Sequence, residues 1–319
     1  MEELIKSAQV TLSECMGVKE GETVLIVSDE PLRELGFLFF EEAKKMGTEA
    51  LYMEIIPREN HGVEPPDALA EAMKKAHVVL LVTSKSLSHT VARKNACKAG
   101  ARIASMPGIT PEMMARTLSA SYREIAENCM KYADWLKGSK EIHIMSPGGT
   151  DLKFSVSGRE IHADTGILHS PGDFGNLPAG EVFAAPVEGS AHGILVVDGS
   201  MAGIGLLEEP VKMEVREGYV VNIEGGDSAE KLREILNRYG RDSYNIAELG
   251  IGLNPRAEIT GFVLEDEKVL GTVHIALGDN STFGGKVSVP SHLDGVILKP
   301  TVVVDGKKFM ENGKIIDLD

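Results

Sequence analysis

The chain has 319 residues, an apolar fraction of 43% and a formal net charge of −15 from 33 basic and 48 acidic residues. That length suits two domains or one large one, and the apolar share supports a real core, which excludes a disordered chain. A surface this acidic repels phosphate backbones and anionic headgroups, so neither nucleic acid nor a membrane is an expected partner.

The first segment, "MEELIKSAQV", is polar with helical spacing, which is not the pattern of a signal peptide. The helix continues through "TLSECMG" to Gly17. "TVLIVSD" is a short apolar run rich in β-branched residues and reads as a buried strand. "PLRELGFLFFEEAKKMG" is a helix with Pro31 at its start and Gly47 at its stop. "EALYMEII", "HVVLLVTS" and "ARIASM" are further strands, separated by the helices "PDALAEAMKKA" and "SHTVARKNACKAG". This rhythm predicts a parallel sheet covered by helices on both faces. The turn after the first strand, "SDEPLRE", has no GxGxxG, and Asp29 and Glu30 would repel a pyrophosphate there. A scaffold or dimerisation role is therefore expected of this part, with no NAD or FMN.

"PEMMARTLSASYREIAENCMKYADWLKGS" reads as one or two helices. From "KEIHIMSP" onward the pattern changes to strands with tight turns, including "DLKFSVSG", "EVFAAPV", "GILVVDGSM" and "PVKMEVREGYVVNIEG". "DSAEKLREILNRYG" is the one clear helix of this half, with Asp227 or Ser228 as its expected N-cap. The expected fold class is α/β. A Rossmann-like parallel-sheet αβα domain spans residues 1–138, and a β-rich α+β metal-binding catalytic domain spans 139–319. Cys15, Cys97 and Cys129 are widely spaced and read as buried thiols of a reducing compartment. No apolar run reaches membrane-spanning length, so a cytoplasmic protein is expected.

The candidate chemistry lies near the C-terminus, in "HIALGDNSTFGGKVSVPSHLDGVIL". His274 falls in a strand, and His292 and Asp294 form a His-x-Asp triplet where a loop runs into a strand. In an extended segment side chains two apart share a face, so His292 and Asp294 could grip one ion. Core and turn roles are the competing reading. Glu181 opens an apolar run in "NLPAGEVFAAP", where a carboxylate is costly unless paired or metal-bound. Glu248 stands among apolar residues and glycines in "YNIAELGIGLNP", with an exposed turn glutamate as the alternative. His162, His169 and His192 are weaker candidates for substrate contact, and His61, His77, His89 and His143 have no partner signal.

Four ordered blocks, "NLPAGEVFAAP", "AELGIGLNP", "DEKVLGTVHIALG" and "SHLD", resemble the M29 metalloaminopeptidases, the aminopeptidase T group. The resemblance implies metal ligation by Glu181, Glu248, His274, His292 and Asp294. It also implies a role for Glu267, although the gap from Glu267 to His274 is two residues longer than in the family. Two departures stand out. Ser281 occupies the position of a family tyrosine, and the chain is shorter than typical members. Both features are shared with a related branch, the 2,5-dihydroxypyridine 5,6-dioxygenases, whose single Fe(II) would be held by the equivalents of His274, His292 and Asp294. Three carboxylates with two imidazoles suit a pair of divalent ions. The favoured expectation is therefore an M29-type aminopeptidase using zinc, cobalt or manganese, with Glu248 and Ser281 as catalytic groups. Its substrate would be a small peptide or other small molecule, and its assembly a homodimer. The alternatives are an Fe(II) ring-cleaving dioxygenase and a non-catalytic protein with a structural metal.

Overall fold

The computed structural model describes residues 1–316. The chain forms two compact units, one from Met1–Ala126 with Thr165–Ala179, the other from Glu127–Asp164 with the chain from Gly180 onward. The class is mixed α/β, as the sequence reading expects.

In the first unit five strands lie side by side in the order Glu49–Ile55, Thr23–Asp29, Val78–Val82, Arg102–Ser105 and Phe174–Asn176. Every pairing is parallel. The alternation of strand side chains supplies two apolar faces. Leu25, Val27, Val79, Leu81 and Ile103 point to one face, where Leu69 and Met73 of the helix Asp67–Met73 and Ala96 of Val91–Lys98 cover them. The opposite face carries Ser28, against which the helix Arg33–Lys45 lies through Gly36. In the turn "SDEPLRE" the Asp29 carboxylate is buried and accepts bonds from the Ser84 amide at 2.8 Å and hydroxyl at 2.5 Å. The fifth strand was not read from the sequence. It brings residues 165–179 back into this unit, a return that one boundary near residue 138 does not include.

The second unit contains an eight-stranded and a seven-stranded sheet. The seven-stranded sheet runs Gly205–Leu206, Ser200–Met201, His292–Ile297, Val273–Gly278, Ile246–Gly252, Glu181–Ala184 and His162–Asp164. All its pairings are antiparallel. One face of it is apolar. Val182, Leu249 and Ile251 line a common cavity with Ile142 and Val156 of the eight-stranded sheet's segment. The helix Gly226–Asn237 starts one residue before the expected caps, so Asp227 and Ser228 lie inside its first turn and Gly225 precedes it. No helix among the described residues is long and apolar enough to cross a membrane.

Candidate metal centre

Strand register puts the candidate ligands on one face of the seven-stranded sheet. Residues directly opposite across an antiparallel pair share a face, as do residues two apart along a strand. Glu248 pairs with Ala276, which pairs with Asp294. His274 pairs with Gly250, which pairs with Phe183. Gly278 pairs with His292, and Gly252 pairs with Glu181, which pairs with Asp164. His274, His292, Asp294, Glu248, Glu181, Phe183 and Asp164 therefore all project to the same side. A bulge between Ile246 and Glu248 turns Glu248 to that side, because Ile246 opposes Leu277 on the other. Glu248 is thus a buried strand residue rather than an exposed turn glutamate.

Two glycines clear the space. A Cβ on Gly250 would stand 1.9 Å from His274 Nε2, so only glycine lets the imidazole lie across the neighbouring strand. A Cβ on Gly252 would stand 2.2 Å from the Val269 carbonyl, so the segment carrying Glu267 and Lys268 can rest on the sheet.

The donor atoms converge. His274 Nε2 is 3.3 Å from Glu181 Oε2 and 3.5 Å from Glu248 Oε1. His292 Nε2 is 3.3 Å from both Glu248 Oε2 and Asp294 Oδ1. Three overlapping groups have ligand atoms within 4.8 Å of one another: Glu181, Glu248 and His274; Glu248, His292 and Asp294; Glu267, His274 and Asp294. Glu181 Oε2 and His274 Nδ1 are buried with no hydrogen-bond partner. A buried carboxylate oxygen or imidazole nitrogen without a partner is costly unless a proton or a cation meets it. His292 Nδ1 lies 2.8 Å from the Asp279 carbonyl, which can only accept. Nδ1 therefore carries a proton, and neutral His292 presents Nε2 to the carboxylates, the orientation a metal ligand needs. Oxygen and imidazole donors of this kind fit a divalent ion.

The titration of these groups shows the same crowding. Burial pushes the Glu181 carboxyl up to about 7, against Lys268 and His274. Burial alone would lower His274, but Glu248, Glu181 and Asp294 outweigh it and raise the imidazole to about 9. His292 rises well above its ordinary value because Asp294 and Glu248 overcome its burial. Asp294 falls below the usual carboxylate range, since His292 and His274 outweigh burial.

Two neighbours were not read from the sequence. Lys268, only 3% exposed, places Nζ 2.6 Å from Glu181 Oε1, 2.8 Å from Glu267 Oε1 and 3.6 Å from Asp164 Oδ2. An aromatic row flanks the donors. His162 stacks on Phe183 with ring centroids 5.0 Å apart, Phe183 meets Phe283 edge-on at 5.7 Å, and Phe283 meets His292 edge-on at 5.9 Å. The signal for both was weak, since a lysine between acids reads as solvated and lone phenylalanines read as core. Ser281 is exposed and its hydroxyl donates to the Asp279 carboxylate at 3.1 Å, so its bonding is local to its loop. His169 belongs to the first unit, where its Nε2 lies 2.8 Å from the Glu14 carbonyl. His192 is exposed beside Arg216, Tyr219 and Arg241, and its Nδ1 lies 3.1 Å from the Ser190 carbonyl.

The fold recurs in known proteins. A solved structure of 2,5-dihydroxypyridine dioxygenase from Pseudomonas putida superposes with a TM-score of 0.82 at 23% identity, covering 99% of this chain and 97% of that one. AmpT from Thermus thermophilus superposes with a TM-score of 0.71 at 18% identity, covering 99% of both chains. Those likenesses show the fold, and the same fold serves both proteins. Sequence separates them. A curated 2,5-dihydroxypyridine 5,6-dioxygenase of Pseudomonas putida is 27% identical over 250 residues, 74% of this chain and 71% of that protein. The family model described as NicX, 2,5-dihydroxypyridine 5,6-dioxygenase, matches residues 3–317. This corrects the expectation of an M29-type aminopeptidase, and with it the hydrolase and metalloprotease assignment. Three carboxylates and two imidazoles favour two-ion hydrolysis by their count alone, and the family match outweighs that count. A family match that runs from residue 3 to residue 317, and so takes in every residue of the centre, means that the chain belongs to the 2,5-dihydroxypyridine 5,6-dioxygenase family.

Proposed function

We propose that this protein is a metal-dependent dioxygenase that opens a dihydroxylated pyridine ring. The substrate class follows the name of the Pseudomonas putida relative. The observation that carries the reading is local. Glu248, His274, His292 and Asp294 gather beside the rings of Phe183 and Phe283 on one sheet face. A flat heteroaromatic ring is favoured against such a wall, where offset and edge-on contacts add about 0.5–1.5 kcal/mol to area burial. The ion is proposed to be Fe(II), held by His274, His292 and Asp294, because two imidazoles and one carboxylate leave positions open for other ligands. Bound Fe(II) would supply the one-electron chemistry that lets ground-state dioxygen react with an aromatic ring. The chain's own part is to bind the ring against Phe183 and Phe283 and to take up protons from its hydroxyls. Glu181, buried with Oε2 free of hydrogen bonds, is placed to accept one of them.

The test is to strip the protein with chelator, reload it anaerobically with Fe(II), and add 2,5-dihydroxypyridine and air. Loss of the ring's absorbance with matching oxygen uptake is expected. An iron-loaded protein that leaves dihydroxypyridines and catechols unchanged would overturn the reading.

A further inference from the structure

We infer that the Lys268 ammonium, bonded to Glu181 and Glu267, fills the place where a second metal ion would sit and keeps these acids from holding a pair. The inference rests on the metal-binding reading of the site proposed above. Of the three donor groups, two include a carboxylate already bonded to Lys268. Glu181 gives Oε1 at 2.6 Å in one, and Glu267 gives Oε1 at 2.8 Å in the other. The group of Glu248, His292 and Asp294 includes none, and His274, proposed above as a ligand together with His292 and Asp294, borders it, 3.5 Å from Glu248. An ion at either of the first two positions would share a buried carboxylate with an ammonium and be repelled by it.

Lys268 is held there by the fold. Its carbonyl accepts the Asn254 amide at 2.8 Å, and the missing side chain of Gly252 lets this backbone lie on the sheet. With 3% exposure, the side chain is almost wholly shielded from water at that position. A protonated lysine is a compact charge with donors only, so it balances carboxylates without ligating a metal. Two-ion hydrolytic centres need both cations to hold the attacking and leaving oxygens. Replacing one ion by lysine leaves a single ion with open positions, although the surrounding acids are numerous enough for two.

The measurement is metal stoichiometry, independent of activity. Chelator-stripped protein is loaded with excess Mn(II), desalted, and read by elemental analysis and by electron paramagnetic resonance. Wild type is expected to hold one ion per chain with the spectrum of isolated Mn(II). Lys268→Met is expected to hold two, with the spectrum of a coupled pair, and Lys268→Arg one. Two ions in wild type would overturn the inference and leave the metal reading standing. No ion in wild type would remove the metal reading itself, and the inference with it. One ion in a folded Lys268→Met protein would show that Lys268 does not exclude the second. Should that variant fail to fold, Lys268→Gln carries the same expectation of two ions and is judged in the same way.

Discussion

At Gly250 a missing side chain decides whether His274 can stand where it does. A methyl group there would lie 1.9 Å from Nε2, inside any permitted contact, so Gly250→Ala must push the imidazole off the neighbouring strand. Metal affinity should fall by about tenfold or more, as when a ligand's orientation is lost, with the circular dichroism spectrum unchanged. Wild-type affinity in that variant would mean His274 is not a ligand. Asp294→Asn should likewise remove most of the bound metal while leaving the fold, because the ligand sits on a strand paired on both sides. Elemental analysis of the purified variant checks this. At this scale the sequence was informative where blocks of residues repeat a known order. Glu181, Glu248, His274, His292 and Asp294 were all legible, and they converge. Lys268 and Asp164 were not, because nothing in "DEKVLG" or "HADTG" distinguishes a buried charge from a solvated one.

The loop between the strands Val273–Gly278 and His292–Ile297 carries Phe283 to the edge of His292. Asn280 holds it. Its side chain is buried, Oδ1 accepts the Val287 amide at 2.9 Å, and Nδ2 donates to Glu188 Oε1 at 3.1 Å. The Glu188 carboxylate also accepts from the Lys286 amide at 2.7 Å and from Arg159. If Phe283 forms the ring's wall, Phe283→Ala should raise KM for a dihydroxypyridine about three- to tenfold, the worth of one aromatic contact, with metal content unchanged. An unchanged KM would place the ring elsewhere. The strand segments of this site were readable from their apolar runs. The bulge that turns Glu248 inward was not, since one extra residue in a pairing leaves no mark on hydrophobic periodicity. The short strands His162–Asp164 and Phe174–Asn176 escaped for a related reason, three residues being too few to show a period.

Across the whole molecule the strand–helix rhythm of the first half and the hairpins of the second were enough to give the class, but the return of residues 165–179 was hidden in a Gly- and Pro-rich stretch. The first unit is tied to its own N-terminal segment by Arg102, which bonds Glu22 at 2.7 Å and the Met16 carbonyl at 3.1 Å. Burial would raise the Glu22 carboxyl, but Arg102 and the Lys19 amide outweigh it and hold it below its ordinary value. A carboxyl lowered by folding adds stability above its unfolded value and loses it as pH falls through the folded one. Glu22→Gln should therefore cost about 2 kcal/mol in urea unfolding at neutral pH, with the gap closing below about pH 4. A gap independent of pH would show that the ion pair is not its source. Function was the least legible level. The candidate ligand blocks are compatible with hydrolysis and with oxygenation, and it is the family match over residues 3–317 that favours the second. The proposed function makes dioxygen a substrate whose two atoms both enter the opened ring. Iron-loaded protein turning over 2,5-dihydroxypyridine under isotopically labelled dioxygen tests this most directly, read by mass spectrometry of the product. Both labelled atoms should appear in the ring-opened product of wild type, and no product should form with Asp294→Asn. A product labelled only from water, or an intact ring, would contradict the account.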